Sequence, residues 1–330
     1  TEGDSLELQG EIHSGLVNLG LSSLLIPEEF GGLGLDLLFA TAVSQSLGGG
    51  IAPIAFTGSY IMAPLAIIFG GNQIQKERYL TQMSKNSIRI GVGFSQYIGA
   101  RDNSTIEMNS NKISGRSLFV LDAKDATHLM LSDANGVIGL VSKNSSGIEI
   151  VELTTVDKTR SYSEVILNNV DVDVLEQTTS SNDAINKAVD GGRIILAADS
   201  IGASQRLIDK AVAYSKERKQ FGRVIGSFQA VKHMCAEMAA DLEPCYSLVW
   251  HAAYCFDNSP DEARLMACHA KSHVSEISKM IAKKATEVHG GMGFTDLMGL
   301  HYWFKRIGVN RHTLGAPELV REEAANIQNF

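Results

Sequence analysis

The sequence contains no long uninterrupted apolar run and no excess of positive charge. No stretch approaches the about 18 uncharged apolar residues that a membrane-spanning helix requires. Aspartate and glutamate number 37 against 29 lysines and arginines, which gives a formal net charge of −8. A protein that binds nucleic acid or a membrane surface generally needs a basic face. We therefore expect neither a nucleic-acid partner nor a membrane partner.

Cysteine is also scarce, and its spacing matches no known cluster. The four cysteines are Cys235, Cys245, Cys255 and Cys268, all toward the C-terminus. None belongs to a C-x-x-C pair or has the spacing of a metal site, so we predict reduced, buried thiols, no metal and a cytoplasmic location. The printed sequence begins at Thr1 with acidic and polar residues, so we expect no signal peptide in it.

The 330 residues suffice for two or three domains, and the hydrophobic pattern divides them into three segments. Residues 1–87 have a helical period that is interrupted by a turn with proline and glycine at residues 26–35, IPEEFGGLGL. Residues 88–175 change to short β-branched runs between Asn, Asp, Ser and Gly, which predicts a small β-barrel or sandwich. Its strands are expected at residues 112–120, 128–131, 136–141, 147–153 and 163–172.

Residues 176–330 return to a helical period and predict a four-helix bundle. The helices are expected at residues 187–216, 228–255, 260–289 and 317–328. Four-helix bundles commonly hold cofactors or partners between facing helices. The predicted fold class is therefore α+β: an N-terminal helical domain, a middle β-domain and a C-terminal helical bundle.

The connection between the first two bundle helices has an unusual composition. Residues 211–230 read AVAYSKERKQFGRVIGSFQA, and Gly222 permits a sharp exit from the first helix. The positive charge of Arg218 and Lys219 suits the negative end of that helix dipole. An arginine near Phe221 can grip a phosphate with its planar guanidinium while the aromatic ring covers a flat ligand. The physical chemistry alone allows a plain surface corner equally well.

These residues also carry a resemblance. Residues 214–222 (YSKERKQFG), with Gln229 after them, resemble the helical-domain signature of the acyl-CoA dehydrogenases, flavoenzymes that desaturate acyl-CoA thioesters. The turn at 26–35 and the segment 75–80 (QKERYL) are similar to the N-terminal domain of that family. Residues 287–294 (EVHGGMGF) are similar to its second nucleotide contact, although by themselves they are equally compatible with a plain helix C-cap. The resemblance implies contacts to the FAD of a neighbouring subunit from Arg218, Gln220, Phe221, Gln229, Glu287, Gly290, Gly291 and Gly293.

The middle segment departs from the family at the flavin ring. In active members the ring lies on a loop that follows an acidic residue, and a Trp-Ile-Thr strand supplies a hydroxyl that bonds it. The corresponding stretches here are residues 96–102 (QYIGARD) and 118–123 (LFVLDA), so Gln96 replaces the acid and Leu121 replaces the threonine. Because a leucine side chain cannot hydrogen-bond, we expect the β-domain fold to be kept and its ring contacts to be lost.

The family's catalytic base is missing as well. Members take the α-proton of the substrate with a glutamate at one of two positions, which are occupied here by Gly192 and Leu314. Neither can accept a proton. His312 lies two residues from the second position and is the remaining basic candidate there. Asp190 and Arg193, on one helix face, match residues that place CoA in the family, or form a local ion pair.

The combination of kept nucleotide motifs and lost base resembles one subunit type of the heterotetrameric (α2β2) acyl-CoA dehydrogenases that bacteria use on steroid side chains, including those of cholesterol. It implies a partner subunit that carries the catalytic glutamate, an acyl-CoA substrate, and electron-transfer flavoprotein as an electron acceptor. Two alternatives remain open. One is a self-sufficient homo-oligomeric dehydrogenase, or a flavin oxidase relative, with an unidentified base; the other is a flavin-free scaffold with the same fold.

Overall fold

A computed structural model describes the backbone of residues 2–99, 105–109 and 111–330, and the side chains of these residues from Gly10 onward. The chain forms two compact units. One contains residues 1–40 and 53–192, and the other contains residues 41–52 and 193–330. None of the described helices is long and apolar enough to cross a membrane. The division into three domains at residues 87 and 175 stays a prediction.

Helices account for most of the first 84 residues. They are α1 (Glu2–Asn18), α2 (Leu37–Gly50), a π-helical turn (Phe56–Met62), α3 (Ala63–Gly70) and α4 (Gln73–Ser84). Helix α4 begins with a capping box, because Asn72 Oδ1 accepts from Gln75 N at 2.9 Å and Gln75 Oε1 accepts from Asn72 N at 3.1 Å. The turn expected near residues 26–35 is present, and a Cβ at Gly32 would lie 2.1 Å from the Ile26 carbonyl oxygen, so only glycine fits there.

The strands that follow build one sheet. They are β1 (Ile90–Gly93), β2 (Glu107–Asn109), β3 (Lys112–Leu121), β4 (His128–Ser132), β5 (Ile138–Ser142), β6 (Ile148–Leu153), β7 (Tyr162–Asp171) and β8 (Asp173–Val174). The order is β6-β7-β3-β1-β4-β5-β8, with β2 paired to β3. The five predicted strands are confirmed to within about two residues. All eight of these strands belong to one sheet, where the sequence had left a barrel and a sandwich open.

The second half of the chain is helical. It contains α5 (Asp183–Glu217), a hairpin of β9 (Lys219–Gln220) and β10 (Arg223–Val224), then α6 (Gln229–Asn258), α7 (Pro260–His289), α8 (Leu300–His312) and α9 (Pro317–Ile327). Four of these five helices match the predicted ones, and the C-terminal helical domain is confirmed; α8 is an additional helix that the sequence did not indicate.

The hydrophobic pattern did not predict helix α8, because part of the buried face of this helix is polar. Arg306 is completely buried and its Nη1 lies 3.1 Å from Asp199 Oδ2. The Asn310 amide, one turn on, donates to Asp199 Oδ1 at 2.6 Å. A hydrophobic pattern cannot register a helix whose inward positions carry a guanidinium and an amide, since such groups are buried only when paired.

Candidate functional site

The corner after α5 is a tight β-hairpin. Residues 219–220 pair antiparallel with residues 223–224, and the two residues between them have positive φ, 53° for Phe221 and 77° for Gly222. Positive φ at both positions is the geometry of a type I′ turn, which is unusual for phenylalanine and carries strain. It holds the Phe221 ring outward with 91% of its surface exposed, in an edge contact with Phe228 at 6.1 Å. The hairpin therefore presents an aromatic face to the exterior.

The glycine turn after α7 is a short 3-10 helix (Gly290–Phe294). Gly290 has φ +59°, and a Cβ on Gly290 or Gly291 would meet no atom within 4 Å. Gly293 is different, because its Cβ would lie 2.7 Å from the Thr286 carbonyl oxygen. The first two glycines thus leave their backbone open to an approaching ligand, whereas the third permits the turn to pack on α7.

A ring stack brings these two distant motifs together. The rings of Tyr214, one turn before the hairpin, and His289, directly before the glycine turn, stack with centroids 4.5 Å apart. Burial lowers the pKa of His289, and the charge of Lys210 adds to this against the opposing hydrogen bond with the Ala285 carbonyl. The ring is therefore neutral near pH 7, and Nδ1 donates to the Ala285 oxygen at 2.7 Å. Nε2 is then a buried acceptor for which the described residues offer no partner.

The sequence-predicted contact residues lie mostly on the surface around this stack. Arg218 is exposed, and its backbone is fixed by hydrogen bonds to Tyr214 O at 2.9 Å and from Ile225 N at 2.7 Å. The other exposed ones are Gln220, Phe221, Gln229, Glu287, Gly290 and Gly291, whereas Gly293 is buried. Surface residues of this kind can serve a ligand held by another subunit.

The donor set of this surface fits FAD. A guanidinium suits a pyrophosphate, open backbone amides in a glycine turn suit phosphate or ribose oxygens, and an exposed ring suits a flat base. The unpaired Nε2 of His289 is an acceptor that a hydroxyl or amino group of such a ligand would satisfy. The assignment of each individual residue stays a prediction.

The two β-domain residues expected beside the flavin ring, Gln96 and Leu121, contact other parts of the protein. Gln96 Oε1 accepts from the backbone N–H of Ile106 at 2.7 Å. Leu121 is 7% exposed, and a Cβ on Gly58 would lie 3.2 Å from the Leu121 Cβ. Residues 100–104, which include the end of the predicted ring loop, lie outside the described residues.

The residues matched to CoA contacts are interior ones. Asp190 is 4% exposed and Arg193 is 1% exposed. The Arg193 guanidinium donates to the Leu314 carbonyl oxygen at 3.0 Å and pairs with Glu323 at 2.8 Å. This burial favours a structural role for Arg193, and contact of either residue with CoA stays a prediction.

Both base positions are buried and carry no ionisable group. Gly192 is buried within α5. Leu314 is 9% exposed and has φ +60°, and its carbonyl oxygen is the acceptor for Arg193 described above. His312, the remaining candidate, is largely exposed, and partial desolvation and the nearby charges of Arg311 and Lys271 lower its pKa.

Sequence reasoning missed a polar cavity of about 210 Å³ in the first unit. Its polar lining comes from α1, the π-helical turn and the ends of several strands: His13, Tyr60, Arg89, Asp122, Asp125 and Ser161. No short motif signals it, because its members are far apart in sequence, as with the 47 residues that separate His13 from Tyr60.

Three groups in this cavity have shifted pKa values, and burial together with the charge of Arg89 lowers the pKa of His13. Burial raises the pKa of Tyr60 to about 12, with Arg89 opposing and Asp122 adding to the shift, so its hydroxyl donates to Nδ1 of the neutral His13 at 2.6 Å. Burial also raises the pKa of Asp122 to about 6, against the attraction of Arg160 and with repulsion from Asp125. A carboxyl that titrates near neutral pH in a cavity is a candidate for function.

The fold combines helical segments with a central sheet, and its exposed hairpin and glycine turn have the donors that a dinucleotide needs. The family model "Acyl-CoA dehydrogenase, N-terminal domain" matches residues 2–87, and the model "Acyl-CoA dehydrogenase, C-terminal domain" matches residues 183–327. The chain belongs to the acyl-CoA dehydrogenase family, whose members are FAD-dependent oxidoreductases. The resemblance in the motifs is thereby confirmed at the level of family, fold and cofactor.

Individual relatives cover nearly the whole chain. It is 28% identical to the "Caffeyl-CoA reductase-Etf complex subunit CarC" of Acetobacterium woodii over 88% of this chain and 82% of the relative. It is 29% identical to "Acyl-CoA dehydrogenase IpdE2" of Mycolicibacterium smegmatis over 93% of this chain and 84% of the relative. Among solved structures, a variant of the Tcur3481-Tcur3483 steroid ACAD superposes with a TM-score of 0.84 at 25% identity, over 95% of this chain and 87% of that one.

Proposed function

We propose that this chain is the base-less subunit of a heterotetrameric (α2β2) FAD-dependent acyl-CoA dehydrogenase that acts on the side chain of a steroid CoA ester. The observation that carries the proposal is the pair Gly192 and Leu314 at the two positions where the family places its base. Neither has a side chain that can accept the α-proton. A partner subunit would supply the glutamate, and this chain would supply contacts to the cofactor and to the assembly.

The acids that follow Leu314 are poor substitutes for the missing base. A hydrogen bond from its own backbone N–H and the ion pair with Arg311 at 2.8 Å hold the pKa of Glu318 below its usual value. Burial works to raise the pKa of Glu323, but its hydrogen bonds and ion pairs with Arg193 and Arg264 outweigh burial and keep it low. A carboxylate with lowered pKa and two arginine partners has little tendency to take a proton.

The exposed surface formed by the hairpin and the glycine turn supports the proposal that this chain contributes cofactor contacts while its partner contributes the base. When bound, FAD supplies the acceptor for the hydride that leaves the acyl chain. Arg218 would bind its pyrophosphate, and the ring of Phe221, held outward by the hairpin, would cover its adenine. The backbone of Gly290 and Gly291 would approach without a steric barrier. Since these groups are exposed, they suit a cofactor held mainly by an adjacent subunit.

The relatives support the choice of substrate and partners. The steroid enzyme Tcur3481-Tcur3483 superposes over most of the chain, which favours a steroid thioester. The relative CarC is named as a subunit of an Etf complex, which favours electron-transfer flavoprotein as the electron acceptor.

The visible spectrum of the purified protein tests the proposal. The chain is expressed alone and together with the partner that co-purifies with it, and flavin content and acyl-CoA dehydrogenation are measured in both preparations. We expect flavin and turnover only in the two-subunit preparation. A missing base alone typically costs about 10²- to 10⁴-fold in rate, so robust turnover by the chain without its partner contradicts the proposal. Absence of flavin in both preparations favours the scaffold alternative.

One observation favours a second candidate, a self-sufficient dehydrogenase with Asp122 as its base. Asp122 lines the 210 Å³ cavity and has a pKa of about 6, and its Oδ2 and the neighbouring Leu121 both lie against Gly58. A general base is best poised with a pKa near the working pH. If the chain alone carries flavin and turns over, Asp122→Asn should abolish that turnover, whereas Asp125→Asn at the same cavity should not.

A further inference from the structure

Three side chains with metal-binding donors meet where α6 turns into α7. His251 and Cys255 lie one turn apart on α6, and Glu262 lies in the first turn of α7. Cys255 Sγ is 3.6 Å from His251 Nε2 and 3.9 Å from Glu262 Oε2. Within the described part of the chain, these donor atoms all lie within 4.8 Å of one another.

We propose that this cluster, His251, Cys255 and Glu262, binds one divalent transition-metal ion of the zinc class. An imidazole nitrogen, a thiolate and a carboxylate are the ligands that zinc prefers, with bonds of about 2.0 to 2.3 Å. Donors at tetrahedral angles around such an ion are separated by about 3.3 to 3.6 Å. The two distances from the sulfur, 3.6 and 3.9 Å, are close to this, and rotation of the exposed His251 and Glu262 side chains would bring in the other pair, which lies within 4.8 Å. Hard ions such as magnesium or calcium take oxygen ligands and would not choose a thiolate.

Access to the site is one-sided. Cys255 is 1% exposed, whereas His251 and Glu262 are exposed. An ion can therefore reach the sulfur from solvent between the two surface ligands, with water in the fourth position. Three protein ligands and one open position are the arrangement of catalytic zinc sites, whereas structural sites have four protein ligands.

A metal ion would favour the deprotonated form of the Cys255 thiol beside Glu262. Burial raises the pKa of the Cys255 thiol, and the neighbouring Glu262 carboxylate adds to this, so the metal-free cluster holds a protonated thiol beside a carboxylate. On binding, the S–H bond breaks, the sulfur keeps the electron pair and forms the metal–sulfur bond, and the proton passes to the solvent. The positive ion then neutralises the two anionic ligands.

The ion would join two helices that are consecutive in the chain. Two ligands come from the last two turns of α6 and one from the start of α7, across the turn at Asn258 and Ser259. Binding would therefore restrain this turn and raise the midpoint of thermal unfolding, because a ligand that binds only the native state stabilises it.

Titration of the full-length chain with cobalt chloride tests the proposal, since cobalt(II) reports a thiolate ligand by a sulfur-to-cobalt charge-transfer band. We expect that band at one equivalent, displacement of cobalt by zinc, and a higher unfolding midpoint with zinc present. Cys255→Ser should abolish the band. Glu262→Gln, an exposed isosteric change, should weaken binding by at least the about 10- to 100-fold that loss of an outer partner of a ligand costs.

Cys235→Ser is the matched control, because Cys235 lies on the same helix and is only partly buried. It should keep the cobalt band. Absence of the band in the unaltered chain overturns the proposal. So does a band that survives both Cys255→Ser and Glu262→Gln, since another sulfur would then be the ligand. Circular dichroism identifies any variant that fails to fold, and in that case the Glu262→Gln titration decides.

Discussion

Replacement of Asp122 by asparagine should stabilise the protein at neutral pH. The pKa of this carboxyl is raised from 3.8 to about 6 because burial disfavours its charged form, so the folded state holds the proton more tightly than the unfolded state does. The resulting stability is fully present below the unfolded pKa and is lost as the pH rises through about 6. Asparagine mimics the protonated carboxyl and cannot lose that contribution.

The magnitude follows from the size of the shift. A difference of about two pKa units is worth about 3 kcal/mol at 1.36 kcal/mol per unit. Asp122 is only partly buried, so solvent screening reduces this value, and we expect a gain of about 1–3 kcal/mol above pH 6. Near pH 4 both proteins carry a mostly neutral group in the folded state, and the gain should shrink toward zero.

Urea unfolding at pH 4 and pH 7.5 measures both expectations. Asp125→Asn is the control, since Asp125 borders the same cavity but is exposed, and its effect should stay within about 0.5 kcal/mol. If Asp122→Asn destabilises the protein at pH 7.5, or stabilises it equally at both pH values, burial of the charge is not the dominant effect. A stabilising change that also reduces activity would indicate that the carboxylate is retained for function.

Four further outcomes are expected. Arg218→Ala should lower the FAD content of the two-subunit complex, measured by absorbance, while its thermal midpoint stays nearly unchanged because Arg218 is exposed; full FAD with an earlier midpoint would make Arg218 structural. Leu314→Glu should not restore dehydrogenation to a complex whose partner base has been removed, since Leu121 would offer the flavin ring no hydrogen bond, and substantial recovery would contradict the proposal that this chain is a base-less subunit. Asp199→Leu should destabilise the chain by about 3–5 kcal/mol, because it leaves the buried Arg306 without its carboxylate. Lys112→Ala, which removes an exposed pair, should cost no more than about 1 kcal/mol by the same denaturation assay.

Local patterns in the sequence determined the elements. Helix α7 was predicted at residues 260–289 and is found at Pro260–His289, because a proline suits the first turn and a glycine follows the end. The β-strand runs were located for a similar reason, since alternation and turn residues act within a few positions. The motifs that carry the family resemblance were also visible, because each lies within one continuous stretch of about ten residues; their contacts with a nucleotide stay a prediction.

Tertiary structure decided everything that depends on pairing between distant residues. Arg306 is buried in α8 only because Asp199 lies 107 residues earlier in the chain, and no local pattern predicts that a guanidinium will face inward. The same holds for the stack of Tyr214 on His289, which joins two motifs into one surface. The cavity around Asp122 likewise draws on segments that only folding brings together.

The cysteines show what the sequence determines and what only the tertiary structure decides. Their spacing contains no C-x-x-C pair, and the sequence alone predicted no metal. Only the fold brings Glu262 to 3.9 Å from the Cys255 sulfur, across a turn whose direction the sequence does not specify. Sequence determines which residues share a helix face, because the helical period is local, whereas the packing of one helix on the next decides which faces, and therefore which donors, meet.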